Sequence, residues 1–307
     1  MQPDSLGAYL KNRRDRVTPS DVGLRTYGTA RRVPGLRREE LAQLAGVSAG
    51  YYTRLEQGQA GTASQQVLDA LAGVLRLDPT ETAHLHNLAR QSGSRGAPRL
   101  VRPRPERPHQ RVLNLLDALG EASPAVVLGR RGDILAWNRT GHALVAEHLA
   151  FDSPQDPARR PSVPRMFFLD PLARELHRNW DELARIHVAY LRLTAGRYPT
   201  DGRLAELIGE LTMRSADFAS LWAKGDVADC TVGRMSLQHP TVGGVDVDYQ
   251  VWLQPESPDH RLELYTPADA ASADALRLLA AQVAGVGEGP GRRAEPAPGV
   301  PGEEAVL

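Results

Sequence analysis

LRREELAQLAGVSAGYYTRLEQG, residues 36–58, is the stretch on which the fold turns. Leu41, Leu44 and Ala45 recur at helical spacing and form one apolar face of a first helix. Gly46 stands where the chain must leave that helix, a position that often needs left-handed backbone. Ser48 suits the cap of a second helix, because its hydroxyl can accept from an otherwise orphaned backbone N–H. Tyr51, Tyr52 and Leu55 supply the inner face of that helix, residues 49–57. Ala42 and Ala45 are small, so the two helices can cross closely.

Such a pair is a helix-turn-helix, and its chemistry suits the DNA major groove. Ala49 and Gly50 at the start of the second helix allow close approach to base edges and thymine methyl groups. Arg54, one turn on, can reach guanine or phosphate. Arg37 and Arg38 open the first helix, where charge and helix dipole both favour phosphate. Arg25, Arg31 and Arg32 lie in the preceding loop, from which they could grip the backbone or enter a minor groove. Residues 46–50 also spell the hydrolase pattern G-x-S-x-G. A nucleophile elbow needs a preceding buried strand, and residues 39–45 are helical in pattern, so Ser48 is not expected to be catalytic.

Working outward, 307 residues suffice for two domains, and 41% hydrophobic content is enough to build their cores. No apolar run approaches the roughly 20 residues that cross a bilayer, and Met1 is not followed by a cleavable leader pattern. A single cysteine, Cys230, excludes an internal disulfide or a cysteine-built zinc site. These features point to the cytoplasm. Net charge is zero but uneven: residues 1–111 hold 18 basic and 10 acidic side chains, the remainder 19 and 27. A basic first third suggests a polyanion partner for that part alone. No two histidines stand at i, i+4, and no Gly-rich phosphate loop appears, so neither metal nor cofactor is expected.

Helical patterns cover residues 4–14 and run almost unbroken from 36 to 91, after a loop over 17–35. Asp78-Pro79-Thr80-Glu81 combines a cap, a proline and a glutamate as a helix start should. Residues 92–108 hold four prolines, two glycines and five arginines with no apolar period, which reads as a linker. Beyond it come a helix over 112–119 and a hairpin of 125–128 with 134–137. A long helix follows from Asp170-Pro171 to about 195, then a helical pattern over 201–224. Strands over 231–238, 244–253 and 261–266 precede a last helix, 271–284. The rest, 285–307, reads as a disordered tail.

Residues 1–92 resemble the Cro/repressor-like (XRE) helix-turn-helix domain, in the subtype carrying RRVPGLRREELAQLAGVSAGYYTRLEQG at 31–58. Residues 64–75 and 78–91 match the fourth and fifth helices of that five-helix domain, while the long 17–34 loop departs from it. The DNA-contacting candidates are Arg37, Arg38, Ser48, Ala49, Gly50, Tyr51, Tyr52 and Arg54, with Arg31 and Arg32 from the loop.

Residues 110–284 resemble the MmyB-like ligand-binding domain. The resemblance rests on Ile134-Leu135-Ala136-Trp137-Asn138, Phe168-Leu169-Asp170-Pro171, the 180–197 helix, Phe218-Ala219 with Trp222, and His239-Pro240-Thr241-Val242-Gly243. Residues 159–165 depart from it, standing where an Arg-Asn pair is expected. The resemblance implies an α+β, PAS-like domain whose small antiparallel sheet and helices enclose an apolar cavity for a fatty-acid-like ligand. Aromatic candidates for that cavity are Trp137, Phe168, Trp180 and Trp222, and polar anchors are Asn138, Arg192 and His239.

The organisation expected is a DNA-binding domain (1–92), linker (93–109), ligand-binding domain (110–284) and tail (285–307). The function expected is a one-component transcription regulator that binds operator DNA as a homodimer and senses an apolar small molecule. Two alternatives stand beside it: a constitutive DNA-binding module whose second half only dimerises, and a DNA-tethered acyl-ester hydrolase.

Overall fold

The computed structural model describes residues 5–24, 34–59, 63–92, 100–254 and 257–287. Arg25, Arg31 and Arg32 lie outside the described residues, as does the tail beyond 287. Among the described residues, no helix is long and apolar enough to cross a membrane.

The N-terminal part is all helical: α1 (Leu6–Arg16), α2 (Arg38–Leu44), α3 (Ala49–Glu56), α4 (Gln65–Val74) and α5 (Pro79–Ser92), with a 3-10 turn at Pro19–Val22. The local signals act as the sequence predicts. Ser48 Oγ accepts from Tyr51 N at 3.1 Å, and Gly46 takes φ +68°. Asp78 and Glu81 cap each other reciprocally, at 2.8 and 3.0 Å. Leu10, Leu36, Leu41, Tyr52, Leu55, Leu71 and Leu85 are all buried in one cluster. The packing reaches the backbone: a Cβ on Gly7 of α1 would lie 2.0 Å from Glu56 O of α3.

The C-terminal part is α+β. One antiparallel sheet carries the strand order β2-β1-β5-β4-β3, built from β1 (Ala125–Leu128), β2 (Ile134–Trp137), β3 (Val232–His239), β4 (Gly243–Gln254) and β5 (Ser257–Pro267). Helix α6 (Gln110–Leu119) covers one face through Val112 and Leu116, against Ala125, Val127 and Leu262. The opposite face meets α7 (Arg139–Ala146), α8 (Val163–Leu169), α9 (Pro171–Leu176), α10 (Trp180–Arg197) and α13 (Ala270–Gly287). Helices α11 (Gly202–Arg214) and α12 (Ala216–Ala223) form a satellite cluster on α10.

Two expected helices are each divided. The run from Asp170 breaks at residues 177–179, because those residues serve the sheet instead. Arg178 N donates to Ser236 O, and Asn179 Oδ1 accepts from Ser236 N. The 201–224 pattern breaks at Ser215, whose hydroxyl caps α12 by accepting from Phe218 N. Helices α7 and α8 were not foreseen.

The linker's second half is tied down. Val101 N donates to Thr200 O, and the carboxylate of Glu106 lies 3.1 Å from Arg131, itself 3.0 Å from Asp201. The two parts also touch each other. Asn12 Nδ2 donates to Lys224 O, Arg13 to Gly225 O, and Gln91 Nε2 to Gly196 O. Val227 is buried in the N-terminal cluster. A Cβ on Gly196 of α10 would lie 2.5 Å from His84 Nδ1 of α5, so only glycine permits this approach.

Candidate functional site

Helix α3 turns two opposite faces outward and inward. Ser48, Gly50 and Arg54 are exposed, Ala49 and Tyr51 half-buried, and Tyr52 and Leu55 fully buried. Tyr52 therefore belongs to the core and is withdrawn from the DNA-contacting set: at 0% exposure its ring cannot reach a base. Ser48 sits between two helices, with no strand leading to it, so the hydrolase elbow is absent there.

One buried acid fixes the angle of this head. The Glu56 side chain is 2% exposed and accepts from Arg14 Nε at 2.7 Å and Arg38 Nε at 2.6 Å. Arg14 also donates to Leu36 O at 2.6 Å. Burial alone would raise the Glu56 pKa, but the bonds from Arg14 and Arg38 outweigh it and hold the carboxyl below the usual range. Arg38 is 43% exposed along its side chain, so it is shared between this clamp and the surface. Arg37 is exposed; its backbone N–H donates to Glu40 at the start of α2.

The C-terminal part holds a cavity of about 530 Å³ on the face of the sheet that α7, α8 and α10 cover, within the roughly 300–1,000 Å³ common for ligand pockets. Val126, Leu128 and Ile134 form its floor, and Leu144, Met166 and Phe167 its wall. Of the seven sequence-level ligand candidates only His239 lines it, and the others are occupied elsewhere. Asn138 spends its whole amide on backbone: Oδ1 accepts from Ala125 N and Gly141 N, and Nδ2 donates to Gly120 O and Ser123 O. Arg192 lies flat over Trp222, 4.1 Å from the ring centroid, and donates to Trp222 O. Trp137 Nε1 donates to Phe151 O beside a separate surface groove. Trp180 stacks on Phe167 behind the wall, and Phe168 packs edge-on against Phe218.

His239 is not an anchor either. Its Nε2 faces Ala143 O at 2.9 Å, an acceptor, while Nδ1 accepts from Thr241 N at 3.2 Å. Both ring nitrogens are engaged by backbone groups, which leaves nothing for a ligand.

The polar groups facing the cavity include His177, His187, Glu263 and Tyr265, together with Glu147, His148, Asp170, Glu175, Gln238 and Thr241. Burial pushes His187 down to about 3, with His177 and Arg261 adding to the effect, so its imidazole is neutral. Glu263 Oε2 accepts from Tyr265 O–H at 3.0 Å. The one sequence signal for these residues is alternation in β5, where Arg261, Glu263 and Tyr265 share a face opposite Leu262 and Leu264.

The comparisons agree with this division. Residues 5–85 match a helix-turn-helix domain. Residues 108–279 match the MmyB-like transcription regulator ligand binding domain. No curated protein matches the chain. With more than half its length in the second match and a helix-turn-helix ahead of it, this chain belongs to the MmyB-like family of transcription regulators, which join a DNA-binding domain to a ligand-binding domain.

Proposed function

We propose that this protein reads operator DNA as a homodimer of Cro/repressor-like heads, and that a fatty-acid-like molecule in its PAS-like second domain alters that reading. The observation that carries the coupling is α10. It presents His187 to the cavity and, nine residues or about 13 Å further along its axis, meets His84 of the head through Gly196. A ligand that shifts α10 must therefore shift or loosen α5 and α1. The antiparallel sheet with a cavity beneath its helices supports the PAS-like reading. Dimerisation follows from specificity: one recognition helix reads too few base pairs, so two half-sites about 34 Å apart, or a multiple of that, are expected. The place of action is the bacterial cytoplasm, on DNA.

The domain assignment is residues 1–92 for reading, 93–109 for connection, 110–284 for sensing and 285–307 as a tail. The DNA-facing set is Arg37, Arg38, Ser48, Ala49, Gly50, Tyr51 and Arg54.

Selection from random duplexes tests the head. The wild-type chain should enrich a paired half-site, and Arg54→Ala should lose that preference, about 1–3 kcal/mol of discrimination. Arg37→Ala should weaken all duplexes alike and lower the salt slope by about 1. A native mass spectrum before and after denaturation tests the sensor. A dimer with extra mass that leaves on denaturation supports the reading; binding to duplexes that is indifferent to the released molecule defeats it.

A further inference from the structure

The two ends of the cavity differ in what they offer a polar head. The exposed Glu147, His148, Glu175, Gln238 and Thr241 mark its mouth. Donors there are turned to the mouth's own acids: His148 lies 3.0 Å from Asp170, and Thr241 Oγ1 donates to Glu147 at 3.1 Å.

At the inner end the cavity adjoins a side chamber of about 20 Å³, room for about one water-sized group. Leu128, Val163, His187 and Glu263 line both spaces, and Arg261 lines the chamber. Arg261 is 6% exposed, and its guanidinium lies 3.9 Å from the Tyr190 ring centroid. Among the described residues its side chain makes no hydrogen bond and no ion pair, and its Nε is buried without an acceptor. The His187 side chain makes no hydrogen bond among them either, and in its neutral form it keeps one ring N–H to donate. Arg131, also at the chamber, is by contrast filled by Glu106, Asp133 and Asp201.

A guanidinium held out of water without an acceptor is costly, and a carboxylate is the partner that its planar fork fits best. Glu263 is not that partner. Its Oε2 accepts from Tyr265 O–H, and it acts on Arg261 through its charge alone.

We propose that Arg261 and His187 hold the carboxylate of the ligand, so that a fatty-acid-like molecule lies head inward with its chain along the apolar walls toward the mouth. This rests on the sensing role given to the cavity above. One carboxylate oxygen enters the chamber and accepts from the guanidinium; the other stays in the larger space and accepts from the His187 ring. At the mouth the same head would meet Glu147, Asp170 and Glu175, and like charges repel. Glu263 opposes the head at the inner end as well, but there a cation and a neutral donor await an acceptor. Its charge limits the affinity, so removing that charge should tighten binding.

The test is isothermal titration of the full-length protein, cleared of bound lipid, with decanoate and with 1-decanol at pH 8, where decanoate is fully ionised. Arg261→Met should weaken decanoate binding at least tenfold and decanol binding less than threefold. His187→Phe, which keeps a ring beside Phe167, should weaken decanoate at least threefold, and Glu263→Gln should tighten it at least threefold. These two variants carry the test if far-UV circular dichroism shows Arg261→Met to be unfolded. Decanoate binding unchanged in a folded Arg261→Met or in His187→Phe, or decanol weakened as much as decanoate, overturns the proposal and leaves the sensing role standing. Binding of neither chain by the wild-type protein removes the sensing role itself, and the proposal with it.

Discussion

The two halves of this protein are built on opposite kinds of core. In the head, apolar side chains close on one another until backbone meets backbone, as at Gly7 against Glu56. In the sensor, a comparable set of Val, Leu and Phe side chains stands around a space of about 530 Å³. A reading head gains from a solid core, because base contacts fail when a recognition helix moves by an ångström or so. A ligand-binding domain needs room, and an apolar hole costs stability that a bound ligand can restore.

The largest effect expected from this contrast is on stability. Leu41→Ala, in the solid core, should cost about 2–5 kcal/mol by chemical denaturation, as buried leucines do. Met166→Ala, facing the cavity, should cost less than half as much, because it widens a space already present. Equal costs would break the comparison by showing the sensor core to be as closed as the head.

Acid should separate the halves next. Glu56 has its pKa depressed in the folded state, so its contribution is fully present above the ordinary glutamate value of 4.5 and is lost as pH falls through the folded value. The head should therefore lose stability through this clamp only below about pH 4.5. Glu56→Gln should be weaker at pH 7 and flatter toward acid, read as melting temperature against pH. A parallel acid slope in the variant would move the cause elsewhere.

The smallest effect is at the join. Arg16 and Asp226 pair across the two parts with side chains 39% and 42% exposed. Arg16→Ala should change stability by no more than about 1 kcal/mol. A larger loss would mean that the halves share one cooperative unit.

Legibility in the sequence follows the same divide. The caps at Ser48 and Asp78, the turn at Gly46 and the hairpin around Gly132 are short-range devices, and each does in the structure what its local chemistry dictates. The cavity's polar groups were missed because β5 alternates Arg261, Glu263 and Tyr265 with Leu262 and Leu264. Period two shows that a strand has two faces and not which one looks inward. Here both do: the leucines lie under α6, and Glu263 and Tyr265 face the cavity. Asn138 and Arg192 are expected from the sequence as polar anchors of a ligand, and Trp222 as an aromatic of its cavity. Their partners, Gly120 O, Ser123 O and one another, fix them as structural.

The sequence by itself determined the helix-turn-helix, the exposed Gly50 and Arg54, the two-part organisation and the family. Those depend on contacts between residues a few positions apart, or on phrases held intact. Only the tertiary structure decided which groups face the cavity, that Tyr52 is core, and that α10 runs from His187 at the cavity to Gly196 at the head. Those facts arise where segments distant in the chain meet, and a side chain's role there is set by what packs against it.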